Sequence, residues 1–120
     1  MDRLTSRRDY LAVAKGRRAG RPAFLIQALA RPAEGPPRFG FTVTRKIGNA
    51  VVRNRVRRRL REAVRLIGHS AATPGTDYVL VGRAGALDRS FDRILADLAG
   101  ALAELGGRRT TSPPVAARQG

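Results

Sequence analysis

RFGFTVTRKIGNAVVRNRVRRRLREAVRL, Arg38 to Leu66, changes its hydrophobic period part-way along. Phe39, Phe41 and Val43 alternate with Gly40, Thr42 and Thr44. That is the pattern of a strand buried on one face, and the short side chains of its other face leave room for something to approach. Beyond Gly48, Val52, Val56, Leu60, Ala63 and Ile67 recur at spacings of 4, 4, 3 and 4, the stripe of a helix laid on a sheet. Asn49 stands where a cap belongs and Gly68 where a stop belongs.

The rest of that helix is arginine. Asn49 to Leu66 holds seven arginines and one acid, Glu62. Arg53, Arg57 and Arg61 fall on one line at i, i+4 spacing, with Asn54, Arg58, Arg61 and Arg65 on the adjoining one. Like charges so spaced destabilise a helix by a few tenths of a kcal/mol per pair, and an ordinary solvated helix interleaves acids to avoid it. An unrelieved arginine face is explained by a polyanion, whose phosphates supply the missing charge and release counterions on binding. Just upstream, Arg45 and Lys46 end the strand, and a Gly-Asn turn leads into the helix N-terminus, where free backbone N–H groups suit a phosphate.

The whole chain repeats this bias. Its 120 residues suffice for one domain with a modest core. The net charge is +15, the pI is near 11.9, and every basic residue except Lys15 and Lys46 is arginine. Guanidinium offers bidentate phosphate contacts and stacking that ammonium does not. Nucleic acid is thus the leading partner and an anionic membrane surface the second. The absence of cysteine excludes disulfides, thiolate metal sites and thiol catalysis. No apolar run approaches a membrane span or a signal-peptide core, and the expected compartment is the cytoplasm.

Working outward, Ser6 followed by Asp9 resembles a capping box for a first helix, Arg7 to Ala14, carrying Tyr10 and Leu11 inward. KGRRAGRP then reads as a basic link. In AFLIQALA, Phe24, Ile26 and Ala28 alternate with Leu25, Gln27 and Leu29, a strand buried on at least one face. Towards the C-terminus, DYVLVGR is a buried strand, and Asp88 or Ser90 opens a last helix with Phe91, Ile94, Leu95, Leu98, Leu102 and Leu105 inward, ended by Gly106 and Gly107. The expected architecture is an α/β two-layer sandwich, with RFGFTVT and DYVLVGR as parallel neighbours around the arginine helix. Residues 1–106 form a single RNA-binding domain and 107–120 a disordered basic tail.

Two other function classes are weaker. An autonomous metal nuclease needs clustered carboxylates or histidines, whereas the nine acids are scattered; only Asp88 and Asp92 pair, beside Arg89 and Arg93, and His69 is the sole histidine. A leucine-zipper basic region needs a heptad seam after the arginines, where Gly68 and Pro74 stand instead.

The string GFTVTRKIGNAVVRNRVRRRLREAVR resembles the signature of the bacterial ribonuclease P protein component: a strand, a K-x-G-N-A turn, then an R-N-R-x-[KR]-R helix. A structured-RNA binder of another kind, such as a ribosomal or assembly protein, would share the charge but not this ordered motif. The likeness extends over residues 4–105. It implies an α-β sandwich like the second domain of ribosomal protein S5, with a left-handed β-α-β crossover against the usual hand. It also implies a subunit that binds a catalytic RNA and the 5′ leader of precursor tRNA, assists Mg²⁺-dependent removal of the leader, has no catalytic residue of its own, and needs neither a protein partner nor a membrane. The expected contacts with the catalytic RNA are Arg45, Lys46, Asn49, Arg53, Asn54, Arg55, Arg57, Arg58, Arg61 and Arg65. Those with the leader are Tyr10, Phe24, Gln27 and Thr42. Ala14 and Gln27 stand where relatives often carry aromatics, so leader stacking, worth about 1–3 kcal/mol per base, gives way to charge. Metal positions do not follow from the motif.

Overall fold

Two apolar strands make the centre of the sheet in the computed structural model, which describes residues 2–110 apart from positions 5 and 33. Strand β3 (Phe24–Ala30) pairs antiparallel along its whole length with β5 (Thr76–Gly82), and β4 (Arg38–Thr42) lies parallel to β5 on its other side, Gly40 opposite Val79. The parallel pairing of β4 and β5 is the one the sequence predicts. β2 (Arg17–Gly20) pairs antiparallel with β3, completing four strands, and a two-residue strand β1 (Asp2–Arg3) extends the sheet beside β4. The order is β1-β4-β5-β3-β2. β2 falls in the stretch expected to be a basic link: its backbone finds ladder partners on β3 although its side chains show no apolar alternation, and Ala19 is its buried member.

Helices cover both faces. α2 (Ala50–Ala63) crosses from β4 to β5 and, with α5 (Phe91–Thr110), buries the larger core: Val56, Leu60, Ala63 and Val64 meet Phe24, Ile26, Phe39, Tyr78 and Leu80 from the sheet and Ile94, Leu98 and Leu102 from α5. The Phe39 and Tyr78 rings stack at 5.1 Å between centroids, and the Tyr78 hydroxyl accepts from the Thr73 N–H at 2.9 Å. α1 (Arg7–Ala14) lies on the opposite face over a smaller cluster of Leu4, Val13 and Val79, with Tyr10 and Val81 partly buried. Short helices α3 (His69–Ala71) and α4 (Gly85–Asp88) flank β5.

Several expected boundaries shift. Ser6 caps α1, its Oγ accepting from the Arg8 N–H, but Leu11 is 53% exposed and Val13 is the fully buried residue. Gly68 does not stop the arginine helix: the chain continues through a π turn, Val64–Gly68, and α3, because a bare Gly68 lets the turn sit against Phe39. α5 likewise runs through Gly106 and Gly107 to Thr110, glycine in a helix being a cost of about 1 kcal/mol rather than a terminator. Ser90, not Asp88, opens α5, accepting from the Arg93 N–H. Residues 111–120 of the expected tail lie outside those described. No helix among the described residues is long and apolar enough to cross a membrane.

Candidate nucleic-acid interface

The end of β4 delivers the chain into a 3-10 turn, Arg45–Ile47, and then into α2. Gly48, at φ 154°, makes the corner, a conformation that favours a residue without a side chain. Asn49 follows in extended backbone and caps α2, its Oδ1 accepting from the Val52 N–H at 3.0 Å. This cap is the one expected. It uses Asn49 as an anchor for the helix start while its side chain remains exposed.

Because Val56, Leu60, Ala63 and Val64 face the core, the intervening arginines point outward. The structure brings together all ten residues expected to bind RNA on the turn and the outer side of α2 and its π extension; apart from the cap Asn49, the other nine stand in three conditions. The side chains of Arg45, Lys46, Arg55 and Arg58 are exposed and make no hydrogen bond or ion pair with any described residue. Arg53, Asn54 and Arg57 are held locally: Arg53 Nε donates to the Gly48 carbonyl at 3.2 Å, and Arg57 Nη1 donates to Asn54 Oδ1 at 2.8 Å. Arg61 stands over the Phe41 ring, 5.7 Å from its centroid, and Arg65 is paired with Glu62, its Nε 3.0 Å from Oε1. That pairing lowers the Glu62 carboxyl and raises Arg65 from their usual values, chiefly through the hydrogen bonds between them.

Arg59 departs from the pattern. Its Nη2 donates to the Arg89 carbonyl at 2.6 Å and its guanidinium lies 6.0 Å from the Phe91 ring, so it ties α2 to the start of α5. The same helix therefore spends one arginine on packing and displays the rest.

The expected leader contacts divide differently. Gln27 and Thr42 lie half-buried on the α1 face of the sheet. Tyr10 projects from α1 onto that face and its hydroxyl accepts from the Phe41 N–H at 3.1 Å. It occupies the room above Gly40, where an added Cβ would come within 2.5 Å of the Tyr10 hydroxyl. Phe24 is a correction: its ring is fully buried on the opposite side of the sheet with α5 and α2, so it is not available to a ligand. Strand alternation allowed either facing, and the large ring goes to the larger core.

A polar group that the sequence did not reveal sits at the near end of these strands. Asp77, 5% exposed, accepts from Arg38 Nε at 2.8 Å and Nη2 at 2.7 Å, and from Arg31 Nη1 at 2.8 Å. Burial pushes its carboxyl up and is outweighed by the hydrogen bonds and charges of Arg38 and Arg31, leaving it below the usual carboxylate value. Arg38 Nη2 also reaches Asp9 Oδ2 of α1 at 3.7 Å. Asp9 thus faces the sheet instead of returning to its own helix cap. The one sequence signal was an acid heading an otherwise apolar strand. Among the described residues, no three acids or histidines gather as a metal site requires.

The family model for ribonuclease P matches residues 1–106. The chain belongs to the bacterial ribonuclease P protein component family. It is 49% identical over 107 residues to the ribonuclease P protein component of Gluconacetobacter diazotrophicus, covering 88% of this chain and 92% of the relative. It is 44% identical to that of Paramagnetospirillum magneticum over 118 residues, covering 92% and 87%. In fold it superposes on the ribonuclease P protein of Thermotoga maritima with a TM-score of 0.74 at 27% identity, over 87% of this chain and 97% of that one. The Staphylococcus aureus protein gives 0.72 at 24% identity, over 88% and 95%, a likeness of fold. The α/β sandwich expected from the motif is the fold these ribonuclease P proteins share.

Proposed function

We propose that the chain is the protein subunit of a cytoplasmic ribonuclease P, binding the catalytic RNA through α2 and the 5′ leader of precursor tRNA on the α1 face of the sheet. The observation that carries this reading is a set of cationic side chains without a partner among the described residues, Arg45 and Lys46 on the turn before α2 and Arg55 and Arg58 on α2 itself, whose other side is fixed in the core. A folded RNA is met through its backbone, which calls for charge on a rigid element. A single-stranded leader of variable sequence calls for a groove that engages phosphate and π-faces. Mg²⁺ supplies electrophilic assistance within the RNA subunit, and the protein contributes binding and charge neutralisation that lower the concentration of Mg²⁺ required. No further protein is needed, and the subunit acts as a monomer in the holoenzyme.

Reconstitution tests this. Purified protein added to its cognate catalytic RNA lowers the Mg²⁺ needed to cleave precursor tRNA at the mature 5′ end. No effect on well-folded RNA would favour a structured-RNA binder of another kind, and cleavage by protein alone would favour an autonomous nuclease.

A further inference from the structure

α1 is held to the sheet in two unlike ways. From its middle to its C-terminal end, Tyr10 and Val13 pack on Val79, Val81 and Gly40. On the side facing the β3–β4 connection there is no such packing: an open cavity of about 380 Å³ lies between Asp9 and Ala12 of the helix and Leu29, Pro32 and Arg38. What spans that gap is the carboxylate of Asp9, 3.7 Å from Arg38.

Arg38 itself has little freedom. Two of its nitrogens grip the two oxygens of Asp77, the residue directly opposite on β5, and Arg31, which holds the same carboxylate, is tied in turn to the Pro36 carbonyl at 2.6 Å. A planar guanidinium bound in this bidentate way keeps a fixed orientation. The group that Asp9 meets is therefore set by the core of the sheet, while Asp9 stands on an element with few apolar contacts.

We propose that Arg38 and Asp9 are positioning residues for the leader groove: Arg38 transmits the fixed position of buried Asp77 to Asp9, and so sets the tilt at which α1 and Tyr10 stand over Gly40 and Thr42. This rests on the leader-binding reading above and deepens it. Neither residue needs to touch RNA. Asp9 carries a charge that repels phosphate, so its presence on this face is explained by its hold on the helix.

The sign of the effect separates positioning from electrostatics. Asp9→Asn removes a negative charge near the groove; if charge alone mattered, the leader would bind more tightly. Positioning requires the reverse. Asp9 is only half-buried and its loss strands no core group, so the variant folds. The measurement uses the assembled holoenzyme and compares its affinity for precursor tRNA with and without a leader, alongside the protein's affinity for the catalytic RNA and its melting temperature. In Asp9→Asn the affinity gained from the leader falls at least about threefold, a fraction of one base stack, while catalytic-RNA affinity and melting are unchanged. Asp9→Glu restores part of the gain, and Arg38→Lys, which keeps the charge and loses the fork, reproduces the fall. An unchanged or increased leader gain in Asp9→Asn would overturn the proposal, as would a loss of catalytic-RNA affinity with the leader gain intact. A wild-type holoenzyme with no leader-dependent gain would instead overturn the leader reading itself.

Discussion

The two faces of the sheet are stabilised by different means. Under α2 and α5 the contact is a continuous apolar layer, from Val56 and Leu60 through Phe24, Ile26 and Leu80 to Leu98 and Leu102. Under α1 the apolar cluster shrinks to Leu4, Val13 and Val79 with parts of Tyr10 and Val81, and the Tyr10 hydrogen bond and the Asp9–Arg38 ion pair add to the attachment. A helix crowded with like charges must be anchored by something that does not depend on charge, which the apolar layer provides. If α1 walls a groove for a variable strand, as proposed, it needs a defined angle more than a deep core. On the proposed function, the firm face suits docking on a folded RNA, and the lightly held face suits a flexible one.

The sharpest way to break this contrast is to cut the firm face. Leu60→Ala removes a fully buried side chain between helix and sheet and costs roughly 2–5 kcal/mol, measured by urea unfolding. Val13→Ala, the matching cut under α1, removes fewer buried atoms and costs less. If the two were equal, the distinction between the faces would fail.

Next in size is the buried carboxylate. Asp77→Asn leaves Arg31 and Arg38 without their shared acceptor charge and costs roughly 1–3 kcal/mol at neutral pH. Its folded-state pKa lies below the unfolded one, so the charge contributes stability above the ordinary carboxylate value of about 3.9, and that contribution is lost as pH falls through the lower folded value. The difference in unfolding free energy between wild type and Asp77→Asn therefore narrows in acid. A gap of constant size from pH 7 to pH 2 would deny the pairing its role.

The smallest stability effect belongs to the displayed arginines. Arg58→Ala, with no side-chain partner to lose among the described residues, changes stability by less than about 0.5 kcal/mol. It nonetheless weakens RNA binding. Arg59→Ala should do the opposite, lowering stability through its lost contact with the Arg89 carbonyl and the Phe91 ring. Thermal melting and RNA titration of the two variants check this reversal.

What the sequence made legible was periodic. The alternation of Phe39, Phe41 and Val43, the stripe from Val52 to Ile67 and the apolar run of β5 each reported a face against a core, because burial imposes a period on consecutive residues. β2 was hidden because its attachment is by backbone hydrogen bonds to β3, which accept Arg17 and Arg18 as readily as valine. The Arg38–Asp77–Arg31 group was hidden because its members, 39 and 46 residues apart, meet only once strand register is known. Phe24 shows the remaining ambiguity: alternation says that a strand has two faces without saying which core each one meets. The outward facing of most α2 arginines was legible, since their unrelieved charge is a property of sequence, while the inward turn of Arg59 depended on where α5 begins.

The claim that α2 is a docking surface held from behind is tested most directly by the salt dependence of catalytic-RNA binding in the double variant Arg55→Ala, Arg58→Ala. Both side chains are exposed and without a partner among the described residues, so melting should stay with the wild type. If each contacts a phosphate, the slope of log affinity against log salt becomes shallower by about 0.7–0.9 per residue. An unchanged slope with unchanged affinity would contradict the account.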